Sequence, residues 1–171
     1  MTKYRVVIVS LCSALLAGTL FIPVTMASTP DDDKQFLSTA AQSDMNEIKL
    51  SQLAETKASS PQVKAFAKKM VTDHTRLETQ MKPFASKWNL TPPAGLDSDH
   101  QAIFDRLNGL SGPDFGKAYM TAMAEDHHKA LDAFTTEAES TQNASFKAAV
   151  LKGKAVVANH TTMADGLQSK M

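Results

Sequence analysis

Beyond about residue 33, apolar residues recur every three or four positions, the period of helices that each turn one face inward. From Asp33 to about Ala58 the chain is rich in Ala, Leu, Gln and Lys and holds no Gly or Pro, and Asp31–Asp33 suit the positive end of a helix. Ser59–Ser60–Pro61 stops this helix and starts another, Ser as the cap and Pro at the first helical position. The second helix runs to about Trp88 with Val63, Phe66, Met70, Leu77, Met81, Phe84 and Trp88 on one stripe, and Pro83 predicts a kink or a late break. A long connection follows. Thr91–Pro92–Pro93–Ala94–Gly95 is extended or turn-like, and Ser98-x-x-Gln101 has capping-box form, so Ser98 to about Leu110 is expected to be a short extra helix. Ser111–Gly112–Pro113 opens a third long helix that carries Phe115, Tyr119, Met123 and Phe134 to about Ser140. Thr141–Gln142–Asn143 is a turn, and a fourth helix with Phe146, Val150, Gly153, Val157 and Ala164 reaches about Leu167. No β-type alternation of useful length occurs. The expected fold is all-α: a four-helix bundle of two hairpins joined by a long crossover, with the short extra helix between helices 2 and 3.

Each stripe carries one polar residue. His74 falls between Met70 and Leu77, His127 lies four residues after Met123, and His160 continues Val157. Glu47 shares a face with Phe36, Ala40, Ser43, Leu50 and Ala54, although a competing face through Leu37, Ala41 and Ile48 sets it at a border. Residue counts place the four at one depth. Glu47 is 13 residues before Ser60 and His74 14 after it; His74 is 13 after Pro61 and His127 14 after Pro113. His127 is 15 before Gln142 and His160 18 after it, an offset of three residues or ~4.5 Å. A buried polar group left unpaired costs ~1–3 kcal/mol, so three imidazoles and a carboxylate must satisfy one another. A metal does so by taking neutral imidazoles and a carboxylate, a set suited to zinc, iron, manganese or copper. A metal-free Glu–His network closed on itself does so too.

Asp73 and Asp126 each precede a stripe histidine and are expected to orient it or place a carboxylate beside it. Glu125 and His128 have ExxH spacing on a face beside the stripe, where it reads as coincidence. Met70, Met123 and Met163 stand one turn from the histidines, a copper-like combination that is also ordinary core filling. His100, in the crossover, has no visible partner.

Charge and composition narrow the classes. Lys3 and Arg5 precede an apolar run from Val6 to Val24, then a small residue, Ala27, before Ser28. This is the form of a secretory signal peptide over residues 1–27, cut between Ala27 and Ser28. A flexible stretch is expected over 28–32 and one bundle domain over 33–168. An uncleaved membrane anchor is the rival reading, disfavoured by Pro23 and the short basic flank. Cleavage removes two of the 18 basic residues and none of the 18 acidic ones, leaving a net charge of −2, and removes the one Cys. Disulfide and thiolate chemistry leave with it, and no basic excess supports nucleic-acid binding. Gly-rich phosphate loops, GxSxG and CxxC do not occur, so nothing supplies a nucleophile and an enzyme ranks last.

Phe36 through Ala58 (FLSTAAQSDMNEIKLSQLAETKA), SSPQVKAFAKKMVTDHT from Ser59 and AYMTAMAEDHHKA from Ala118 resemble a bacterial family of exported helical proteins. It is known as domain of unknown function 4142, described as outer-membrane or periplasmic proteins. The paired Met-x-x-Asp-His pattern, Met70–His74 and Met123–His127, with His160 on the last helix, is its most specific part. The resemblance implies export and a ferritin-like bundle, with no established activity. The chain departs from the ferritin di-iron pattern of Glu-x-x-His on two helices with a Glu on each of the others, which argues against di-iron oxidation and iron storage. The expectation is therefore a periplasmic or outer-membrane-associated bundle with no transmembrane span after leader cleavage. In it Glu47, His74, His127 and His160, supported by Asp73 and Asp126, hold one transition metal. The alternative is a structural or stress-associated envelope protein with a metal-free polar layer.

Overall fold

The computed structural model describes residues 27–171. The leader expected over 1–27 therefore lies, apart from Ala27, outside the described residues. These form α1 (Pro30–Lys57), α2 (Pro61–Lys87), α3 (Ser98–Asn108), α4 (Gly112–Ser140) and α5 (Ala144–Gln168), and no strand occurs among them.

Capping accounts for where the helices begin. α1 starts at Pro30, earlier than the sequence pattern placed it. Thr29 Oγ1 accepts the Asp32 N–H at 3.3 Å and Asp32 Oδ2 accepts the Thr29 N–H at 2.7 Å, a reciprocal box that recruits the acidic stretch into the first turn. α3 is capped by Asp97 rather than Ser98. Its Oδ1 accepts the His100 N–H at 2.9 Å while its Oδ2 accepts from Asn46 Nδ2 at 2.7 Å, so one carboxylate both starts α3 and ties it to α1. α2 passes through Pro83 and ends at Lys87, followed by Asn89 with a φ of 55°.

The helices form a bundle in which α1 packs on α2 and α4, and α5 on α4 and α2. The start of α1 meets the end of α4, where the Ser28 N–H donates to Ser140 O at 3.0 Å, so these two run antiparallel as the hairpin pairs do. The chain between α2 and α4 must then travel the length of the bundle, ~40 Å for helices of this size. α3 occupies that crossover and lies on α4 and α1, with Leu107 buried. The apolar stripes are buried as the sequence pattern expected, except that Phe84 and Trp88 at the end of α2 are only partly buried. They divide into two clusters, one around Leu50, Val63, Phe66, Met70, Tyr119 and Met123, the other around Leu37, Met81, Phe134, Phe146, Val150 and Val157. On every long helix a buried polar residue separates the two: Asp44 and Glu47 on α1, His74 on α2, His127 on α4 and His160 on α5. Gly153 lets α5 approach α4 within the second cluster, since a Cβ at this position would lie 2.5 Å from Cε1 of Phe134.

Candidate metal centre

Helical spacing aims the three histidines at one point. Their ring centroids are 5.2 Å (His74–His160), 5.5 Å (His127–His160) and 5.6 Å (His74–His127) apart. One nitrogen from each ring lies within 4.8 Å of the others.

The outer nitrogens are fixed by hydrogen bonds. His74 Nδ1 lies 2.7 Å from Asp44 Oδ1 and 3.0 Å from Glu47 Oε2. His127 Nδ1 donates to the Met123 carbonyl at 2.8 Å. His160 Nε2 donates to Asp73 Oδ2 at 3.0 Å, and Lys69 and Arg76 donate to the same carboxylate at 2.7 and 3.0 Å. The nitrogens left over are His74 Nε2, His127 Nε2 and His160 Nδ1. His74 Nε2 and His160 Nδ1 are 3.2 Å apart and share a proton, whereas His127 Nε2 is buried with no partner. Three imidazoles, each held by a carboxylate or carbonyl and each offering a further ring nitrogen once the shared proton leaves, have the donor chemistry of a transition-metal site.

Charge is distributed unevenly. Burial opposes protonation of His74, but Glu47, Asp44 and Asp73 overcome it and raise its pKa to about 9. Burial, then the charge on His74, lowers His127 and His160 to about 4. Burial raises Asp44 and Glu47, with the His74 charge opposing. Without metal the cluster therefore holds one shared cation against its carboxylates.

Each sequence-derived candidate has a definite place. His74, His127, His160 and Glu47 are brought together, with Glu47 Oε1 3.8 Å from His127 Nδ1. The Glu47 oxygens address the outer, Nδ1 edges of His74 and His127 rather than the centre of the three rings. Asp73 holds His160 across the α2–α5 interface rather than its neighbour His74, to which it lends only charge. Asp126 makes no hydrogen bond to His127 and lends it only charge. It lies about a quarter-turn away around α4 and takes His100 Nε2 at 3.2 Å. His100 is thus not partnerless: Nδ1 is 2.8 Å from Asp97 Oδ1, and the two carboxylates raise its pKa although burial opposes it. Asp44 was missed. It lies seven residues after Leu37 on the competing face of α1, and because α1 is buried on both faces that stripe also reaches the cluster. Met70 and Met123 are core filling, and His128 is exposed with Asp165 Oδ1 3.1 Å away.

A family model described as domain of unknown function DUF4142 matches residues 23–167. A comparison with curated proteins gives no match. Among solved structures, the chain is similar to a DUF305 fragment from Deinococcus radiodurans (TM-score 0.73, 13% identity, 85% of this chain and 99% of that one). It is also similar to a putative secreted DUF305 protein from Streptomyces coelicolor (TM-score 0.69, 13% identity, 81% and 91%). A third is CopM in its Cu(II)-bound form (TM-score 0.68, 18% identity, 81% and 96%). At these identities the likeness establishes the helical fold. Among the described residues, no helix is long and apolar enough to cross a membrane.

Proposed function

We propose, for a chain that belongs to the family of domain of unknown function DUF4142, that it binds one transition-metal ion between His74, His127 and His160. The observation that carries this reading is the buried, partnerless Nε2 of His127, in a ring whose other nitrogen is already committed to a carbonyl. In a metal-free core that atom is a net loss, and a metal ion turns its lone pair into a bond. Three imidazoles suit zinc and copper better than the oxygen-preferring iron and manganese, and CopM, a structural neighbour, binds Cu(II). Asp44, Glu47 and Asp73 would fix the ring orientations and offset the ion's charge. The same reading places the protein outside the cytoplasm, as a ferritin-like four-helix bundle released into the periplasm or held at the outer membrane once its leader is cut before Ser28. The family match and the secreted neighbour support this.

A second reading has its own observation. The bond between His74 Nε2 and His160 Nδ1 lets two of the three rings satisfy each other, so a metal-free layer serves to fix helix register. Metal analysis of protein purified without a His tag separates the two. Metal binding predicts near-stoichiometric metal that disappears in His74→Ala and His127→Ala. Metal-free protein that stays folded and gains no stability from zinc, copper, iron or manganese contradicts it.

A further inference from the structure

The end of the bundle where α1 begins carries a second buried polar cluster. Asp33 is 4% exposed and Glu137, on α4, is 6% exposed. Asp33 accepts from Ser28 Oγ at 2.8 Å and from Thr141 Oγ1 at 3.1 Å, but Glu137 Oε1 is buried with no partner. Burial, then the adjoining Asp33 carboxyl, pushes Glu137 up to about 7. Two acids thus crowd one pocket, and among the described residues no Lys, Arg or His side chain pairs with either. The backbone nitrogen of Ser28, the residue whose Oγ meets Asp33, donates to Ser140 O at 3.0 Å. Ala27, just before it, is exposed.

We infer that the Asp33–Glu137 pocket receives the protein's own mature N-terminus, the ammonium created when the leader is cut before Ser28. The inference rests on the leader reading of the proposed function and not on its metal. Hydrolysis of the Ala27–Ser28 bond gives the hydroxyl of water to the Ala27 carbonyl and its hydrogen to the Ser28 nitrogen, and the proton of the new carboxyl group passes through solvent to the resulting amine. Before the cut that nitrogen is a neutral amide whose single N–H is spent on Ser140 O. Afterwards it is an ammonium that keeps this bond and has two further N–H groups and a positive charge for Asp33 and Glu137. In the uncleaved chain no cation faces the two acids, and a proton held between Glu137 and Asp33 is what offsets their repulsion; the cleaved chain sets one ammonium beside them, so leader removal tightens the α1–α4 end.

The test compares three mature chains of one metal content: Ser28 with a free amine, the same chain Nα-acetylated, and the chain extended by Ala27. Mass spectrometry of the protein exported from a bacterial host first identifies its terminal residue; any residue other than Ser28 contradicts the leader reading itself. Urea unfolding at pH 7 should then give the free-amine chain a folding constant about tenfold larger than the other two, the equivalent of a one-unit rise in the ammonium pKa. That advantage should vanish in Asp33→Asn and Glu137→Gln. In the unmutated chain, the Nα group should react with cyanate at least about tenfold more slowly folded than in urea, a readout needing no variant. Equal stability of the three chains, an advantage that survives both substitutions, or an unprotected amine would overturn the inference. So would a calcium-dependent rise common to all three chains, which would mark the pocket as an ordinary oxygen-ligand cation site.

Discussion

Substituting His127 by Leu should strengthen the metal-free bundle while abolishing its response to metal. The imidazole is fully buried and its Nε2 has no partner, a defect of ~1–3 kcal/mol. Leucine removes that defect and forfeits the bond from Nδ1 to the Met123 carbonyl, a loss of ~0.5–1.5 kcal/mol. Similar volumes keep the packing change small, so metal-free His127→Leu should be about 1 kcal/mol more stable than the parent. Metal reverses the order. At a free concentration of about 1,000 times Kd it stabilises the parent by ~4 kcal/mol, and the variant, with one donor gone, by far less. Urea unfolding of untagged protein with EDTA and with zinc or Cu(II) measures all four stabilities. The signature is a crossing: variant above parent in EDTA, parent above variant in metal. A variant that is more than ~2 kcal/mol weaker in EDTA, or one that gains as much from metal as the parent, would show that His127 Nε2 is neither a defect in the metal-free core nor a ligand.

Proton linkage gives two further tests. His127 takes up no proton in the folded state until about pH 4, whereas an unfolded histidine does so near ~6.5. The parent therefore loses stability from this group as pH falls through that window, and the metal-free advantage of His127→Leu should widen from pH 6.5 to 4. His74, raised to about 9, is charged at pH 7, so metal must displace its proton. Binding should release about one proton per ion, and apparent affinity should rise close to tenfold per pH unit until about 9, as calorimetry in two buffers would show. Asp73→Asn should weaken metal binding about 10–100-fold through His160 without unfolding the bundle. In Gly153→Ala the new Cβ would meet the Phe134 ring at 2.5 Å, a strain of ~1–3 kcal/mol that thermal unfolding measures.

Periodicity made most of this fold legible in advance. The stripes on α2, α4 and α5 fixed which faces are buried, and counting from Pro61, Pro113 and the turn at Gln142 set His74, His127 and His160 level. α1 was less legible because it is buried on two faces. Its polar positions then have no unique stripe, and Asp44, which holds His74, went unseen beside Glu47. Adjacency in sequence misled at Asp126. A residue next to a buried histidine points about 100° away around the helix, here toward α3 and His100. The His100 contacts were out of reach, since they depend on how the crossover folds back onto Asn46 and Asp126, and no local pattern encodes that.

Three imidazoles that hold a metal ion leave a direct spectroscopic mark. X-ray absorption at the zinc or copper edge of the singly loaded, untagged protein reads that mark. The expected spectrum shows a nitrogen/oxygen shell at ~2.0–2.1 Å with the multiple-scattering signature of three imidazoles, reduced to two in His127→Leu. A shell of oxygen donors without imidazole scattering, or a spectrum unchanged by His127→Leu, would contradict metal binding by the three imidazoles.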